Sequence, residues 1–293
     1  MYAAPARIKA VWPRRSMLLM RREENVMART HRSRRLSWLV LVAAILGCSV
    51  IPAAHANALD DAAERYRPLM IADIDQALAG SKTLHERVIA KDLAGAQKAW
   101  IAARVGWERA EVFTAGFVSE LDEMIDAWPN ALTGFHAIEA KLFGAKNVDV
   151  GDETSALVYH LADLDVKIHY TPLNAQGLLN GTARLAYEVG ENKADGGESR
   201  YSGTSLDDMR NNVVGIDLAY KTIFASALRA ADPTLADSTQ ATIDALTALV
   251  AAPDLKSLDP DRLRAKSEEL VLALQTAAPK IGLTAPTLED ITQ

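Results

Sequence analysis

Cysteine is nearly missing from this chain: Cys48 is the only one in 293 residues. It lies inside a short apolar run near the amino terminus, so a chain processed downstream of it has none, which excludes disulfides, thiolate nucleophiles and soft cysteine metal sites together. Aromatic residues make up 6% of the chain, and there are only 16 Gly and 11 Pro, too little turn material for a Gly-punctuated β-sandwich. No βαβ alternation and no Gly-rich phosphate loop occur. Basic charge is scarce after the first 56 residues. Residues 1–56 hold ten of the 32 Lys and Arg and two of the 38 Asp and Glu, which leaves 22 basic against 36 acidic side chains in residues 57–293. A body so acidic repels nucleic acid and attracts cations. Apolar residues, by contrast, are plentiful at 49%, rich in Ala and Leu, enough for one large helical core or two modest ones.

The basic start reads as a targeting segment. Arg29, Arg32, Arg34 and Arg35 precede a 15-residue apolar run, Trp38 to Pro52, that closes on Ala54-His55-Ala56, the layout of a secretory signal cleaved after Ala56. The run is shorter than the roughly 20 apolar residues a membrane-spanning helix needs. Residues 1–56 are therefore expected to be an extension and signal peptide, with residues 57–293 as the mature periplasmic domain, peripheral to the membrane if associated with it at all. Counted from Met27 the signal has ordinary proportions. Ser33-Arg34-Arg35 resembles a twin-arginine signal but lacks the bulky apolar residue at Ser37, and Ile45-Leu46-Gly47-Cys48 resembles a lipoprotein site with a large Leu46.

From Asn57 onward apolar residues recur at spacings of three and four. Leu59, Ala62, Ala63, Tyr66, Met70 and Ile74 form one such stripe, interrupted by Pro68, which should kink the helix or restart it. Asp92 is placed to cap a helix running to Phe117. Thr133-Gly134 restarts the chain after Pro129, with a short helix to Phe143 ended by Gly144. Thr154 to Ile168, and stretches at 173–192, 205–231, 234–251 and 259–279, complete an all-α up-and-down pattern, expected as two four-helix bundles sharing a long helix, with a break at Asp195-Gly196-Gly197.

In such a fold the chemistry must come from side chains facing a bundle interior. Glu108 and Glu111 are i,i+3 neighbours on one face, with Arg104 and Arg109 near enough to neutralise them if that face is solvated. Asp122, Glu123 and Asp126 follow, with Asp122 and Asp126 on a shared face, a pattern a solvated turn also gives. His136 and Glu139 are i,i+3 on an otherwise apolar helix containing Phe135, Ile138 and Leu142. Imidazole plus carboxylate is a metal grip used in bundle cores, and also a pair that can satisfy itself without metal. His85, His160 and His169 have no comparable setting.

Thr133-Gly134-Phe135-His136-Ala137-Ile138-Glu139 resembles the Gly-x-His-x-x-Glu signature of the EfeM/EfeO group of bacterial periplasmic iron-uptake components, also called imelysin-like. Trp107-Glu108 through Glu111, Ile125-Asp126-Ala127, Asn180-Gly181, Glu188-Val189, Lys193, Tyr201 to Leu206 and Asn212 to Gly215 follow the family order across most of 60–280. The resemblance implies a helical double bundle that binds a metal ion between helices and serves an iron permease and a periplasmic haem peroxidase. It implies Glu108, Glu111, Asp126, His136 and Glu139 as ligands, in a short form without a cupredoxin domain. Trp128 stands where the family often has Arg, and Gly203 and Ser205 replace a family His and Asp.

Four carboxylates and one imidazole make a hard, oxygen-rich set that suits iron, ferrous or ferric, over zinc, although zinc or another divalent cation remains possible. The alternatives are an imelysin-like metallopeptidase, with His136 and Glu139 on zinc and Glu108 or Glu111 as general base, and a module that binds polysaccharide through a bridging cation. Amino-terminal sequencing of the exported protein should begin at Asn57. A start at a lipid-modified Cys48 would place the protein on a membrane surface, and an uncut cytosolic chain would refute export.

Overall fold

The structure, a computed structural model, describes residues 53–127 and 132–292; residues 1–52, which hold Cys48 and all but the last four residues of the expected signal segment, and Trp128 lie outside the described residues. The described residues are helical nearly throughout and contain no strand. In order, the helices are α1 (Ala53–Ile89), α2 (Leu93–Phe117), α3 (Ser119–Asp126), α4 (Gly134–Glu139), α5 (Gly151–Tyr170), α6 (Ala175–Glu191), α7 (Ser205–Ala219), α8 (Ala225–Ala231), α9 (Pro233–Val250), α10 (Pro260–Lys280) and α11 (Leu288–Thr292).

Local chemistry sets most of the ends. Asp92, Asn174, Asp232 and Asp259 each accept a hydrogen bond from the first turn of the helix they open, satisfying a donor that has no partner within the helix. Pro233 and Pro260 occupy first-turn positions, where the missing N–H is not needed.

Two departures from the sequence pattern are physical. Pro68 neither breaks nor restarts α1, which runs on through it. Pro68 is exposed, so the carbonyl it leaves unpaired is free to meet water, while Tyr66, Met70 and Ile74 are buried on the opposite side and hold the helix to its neighbours. Residues 140–144 and 220–224 are single π-helical turns, where the pattern suggests uninterrupted α-helix. Such turns carry no strong residue signature and are frequent beside functional sites; the first directly follows Glu139.

α2 is the shared helix. It packs along α1 on one side and against α6 and α7 on another, while α1 also packs on α5, and α6, α7, α9 and α10 build the second group. α2 buries Trp100, Trp107, Val112 and Phe113, and α1 meets it so closely that a Cβ added at Gly106 would lie 2.2 Å from the Asp73 carbonyl. Gly106→Ala therefore sets two effects against each other. The better helix propensity of Ala is worth about 1 kcal/mol, and overpacking against rigid backbone costs about 1–3 kcal/mol or more. Packing should win, lowering Tm by several degrees in a thermal melt; an unchanged or raised Tm would mean that the α1–α2 spacing is not set there.

Candidate metal centre

The inward face of α2 carries charge among its apolar residues. Arg104, Glu108 and Glu111 are one turn apart, and all three are buried, Glu108 completely. α3 ends at Asp126, close beside them. α4 is brought against α3 by Gly134, whose φ of +71° only glycine adopts easily and where a Cβ would lie 2.2 Å from the Ile125 carbonyl. That close approach points His136 at Asp126. The segment after α6 supplies Lys193 and Glu198, and α7 supplies Asp208 and Asn212, all buried.

Arg104 is the hub. Its guanidinium pairs with Glu108 and Asp126, reaches Glu198 and Asp208 at 3.3 Å each, and lies 5.5 Å and 5.4 Å from the ring centres of Trp100 and Phe135. Lys193 Nζ donates to Glu108 at 2.7 Å and lies 3.4 Å from Glu111 and 3.2 Å from Glu198. Asn212 Nδ2 donates to both Glu108 and Glu111, at 2.7 Å and 2.6 Å, and Trp107 Nε1 to Asp126 at 2.8 Å. Five carboxylates thus surround two permanent cations.

His136 sits between two carboxylates. Its Nδ1 is 3.2 Å from Glu139, and its Nε2 is 3.2 Å from Asp126 and 3.6 Å from Glu198, with no hydrogen bond made at Nε2. The second oxygen of Glu198 is likewise buried without a partner. Glu139 faces outward from the cluster with its other oxygen, which accepts from the Tyr201 N–H at 3.0 Å and from the Ser202 N–H and hydroxyl at 2.8 Å each. It orients His136 and anchors the 199–204 turn. Gly203 and Ser205, which replace the family His and Asp, serve that turn: Gly203 has φ +76°, and the Ser205 hydroxyl accepts from the Ser199 N–H.

The charge pattern moves the titrations. Burial alone would lower the His136 imidazolium, but Asp126, Glu139 and Glu198 outweigh it and raise the pKa to about 9. Burial, reinforced by Glu108, pushes Glu111 well up, and burial against the opposing Arg104 charge brings Asp208 to about 7. For Glu198 burial is overcome by Lys193, His136 and Arg104, which hold it well below the usual carboxylate range.

The five residues that the family resemblance implies are therefore close together, but in two roles. Asp126, His136 and Glu198 form one group whose donor atoms all lie within 4.8 Å of each other, and Glu108, Glu111 and Asp126 form a second. Glu139 belongs to neither and touches the cluster through His136. Arg104 is buried in the cluster rather than on a solvated face, and Arg109 points away from it, toward Asp73 and Asn211. Asp122 pairs with Arg184 and Thr114, and Glu123 is exposed. Glu198 and Asp208 were not singled out by spacing. The one available signal was the polar face Ser205, Asp208 and Asn212 on α7. A cavity of about 560 Å³, lined by Glu111, Asp122, Asp126, Glu188, Glu198 and Lys193 among others, leads to the cluster.

His136 and Asp208 hold protons in the fold that the unfolded chain releases from ordinary values of 6.5 and 3.8. Stability from both is full on the acid side and is lost as pH rises, through about 7 for Asp208 and about 9 for His136. That from Glu198 is lost only as pH falls below the usual carboxylate range. The Tm of the metal-free protein should therefore fall between about pH 5 and about pH 9; a rise across that interval would contradict these protonation states.

The imelysin family model, labelled as peptidase family M75, matches residues 62–131 and 130–281. The chain is 32% identical over 160 residues to the iron uptake system component EfeO of Yersinia pseudotuberculosis, covering 51% of this chain and 42% of the relative. It is 29% identical over 184 residues to that of Escherichia coli K12, covering 58% and 49%. The chain thus spans about half the length of these relatives. A crystal structure of a putative iron-regulated protein A precursor from Parabacteroides distasonis has the same fold, with a TM-score of 0.62 at 19% identity over 80% of this chain and 97% of that one. The extent of the family match makes this chain a member of the imelysin family.

Proposed function

We propose that this chain is a periplasmic metal-binding component of an iron uptake system, taking iron between α2, α3 and α4 and serving an iron permease and a haem peroxidase. The observation that carries this reading is the buried His136 Nε2, without a hydrogen-bond partner, 3.2 Å from Asp126 and 3.6 Å from Glu198, beside an acid-lined cavity. If Nδ1 of His136 donates to Glu139, Nε2 presents a lone pair to two carboxylates. That arrangement is repulsive unless a proton or a metal ion lies between them. Asp126, His136 and Glu198 would hold the ion most directly, with Glu108 and Glu111 adding oxygens and Glu139 fixing the imidazole.

The donor set favours iron. Carboxylate oxygens with one imidazole suit iron or manganese, and excess negative charge favours the ferric over the ferrous ion. The names of the relatives, iron uptake system components, agree with this. Peptidase zinc usually takes two or three nitrogens or sulfurs with an open water position. His136 is the single imidazole of the cluster, and Glu139 is committed to the 201–202 backbone.

Iron should stabilise the fold by about 2.7 kcal/mol at a free concentration 100 times its Kd, a shift of several degrees in Tm. His136→Ala and Glu198→Gln should each remove most of that shift while remaining folded. Equal shifts in both variants and the parent would move the site elsewhere, and no shift in any of them would return His136 and Glu139 to a self-satisfied pair. Because the ion replaces the His136 proton, binding should release protons and tighten as pH rises from about 6 to about 9, readable by titration in buffers of different ionisation heat.

A further inference from the structure

The donors of the cluster fall into two groups of three that share one residue, Asp126. Two such groups joined by a carboxylate are the layout of a two-metal centre in a helical bundle. The groups are not equivalent. In the Asp126, His136 and Glu198 group, His136 Nε2 and one Glu198 oxygen are buried without a hydrogen-bond partner, and Arg104 pairs with Asp126 and reaches Glu198; in the other group the one oxygen so placed, Glu108 Oε1, is held by Arg104. The Glu108 and Glu111 group also faces a second cation: Lys193 Nζ lies 2.7 Å from Glu108, 3.4 Å from Glu111 and 3.2 Å from Glu198. An ammonium has three N–H donors and no acceptor, and here each has a carboxylate to meet. Asn212 Nδ2 donates to the same two oxygens of Glu108 and Glu111 that face Lys193.

Building on the metal-binding proposal, we infer that Lys193 is a tethered cation standing in the second of two metal subsites, so that the chain takes one ion, at Asp126, His136 and Glu198, instead of two. Without the lysine charge, Arg104 would be the one permanent cation left among these carboxylates, a deficit that a second metal ion could fill. Lys193 is buried at the cavity wall, so seating a metal in its place would require expelling a buried ammonium from three carboxylates. Its role is to fix stoichiometry: it touches the ligands and supplies none.

Stoichiometry tests this directly. The mature protein is titrated anaerobically with ferrous iron, and the metal retained after gel filtration is counted by mass spectrometry. The parent should hold one ion per chain, Lys193→Gln two, and Lys193→Gln combined with Glu111→Gln one again. Two ions in the parent, or one in a folded Lys193→Gln, would overturn the inference while leaving the metal site standing; none in the parent would reject the site and the inference together. A second measurement needs no variant. Amine acylation mapped by peptide mass spectrometry should find Lys193 protected with and without iron. Labelling that appears only on iron loading would show that the ion displaces the lysine, and would overturn the inference even if Lys193→Gln fails to fold.

Discussion

Arg104 buried among carboxylates is the interaction on which the rest of this molecule depends. A guanidinium with almost no solvent contact needs charged partners, and this one has Glu108, Asp126, Glu198 and Asp208 around its two terminal nitrogens. Removing one partner of a buried pair typically costs about 3–5 kcal/mol, because the charge left behind has no water to turn to. The four carboxylates come from α2, α3, the segment after α6, and α7, so the requirement reaches across the fold. Trp100 and Phe135 close over the guanidinium, and Trp107 fixes one oxygen of Asp126, which keeps the cluster from relaxing by admitting water.

Such a cluster is a poor device for stability alone. Like charges held this close raise the proton affinity of Glu111 and Asp208, and an apolar replacement of similar volume would often be at least as stable. The arrangement makes physical sense where a cation arrives from outside. Asp126 and Glu198, next to His136, line the cavity, while Arg104 and Asp208 lie outside its lining. The fixed cations hold the carboxylates in position, so that an entering ion meets ligands already in place.

Legibility in the sequence followed the range of the physics. Helix ends were readable because caps and first-turn prolines act over three or four residues, as at Asp92, Pro233 and Pro260. Glu108, Glu111, His136 and Glu139 were readable because i,i+3 spacing on a helix is itself a distance. Arg104 was visible on the same face, but whether that face meets water or protein depends on α3 and α7, far along the chain. Glu198 lies in an irregular segment just after Gly196-Gly197, where no periodicity assigns a direction, and Asp208 looked like an ordinary first-turn acid. Pro68 misled because helix breaking is a local tendency and the burial on both of its flanks is not.

The pairings across the cluster also bear on how the chain can fold. Glu108 meets Asn212, and Arg104 meets Asp208, more than a hundred positions apart. α1 and α2 can zip together early through neighbouring contacts, but the charged face of α2 stays hydrated until α7 arrives, and the guanidinium cannot be enclosed before then. Closing the second half of the molecule is consequently the slow event, governed by long loop closure and by desolvation of ions instead of by helix formation.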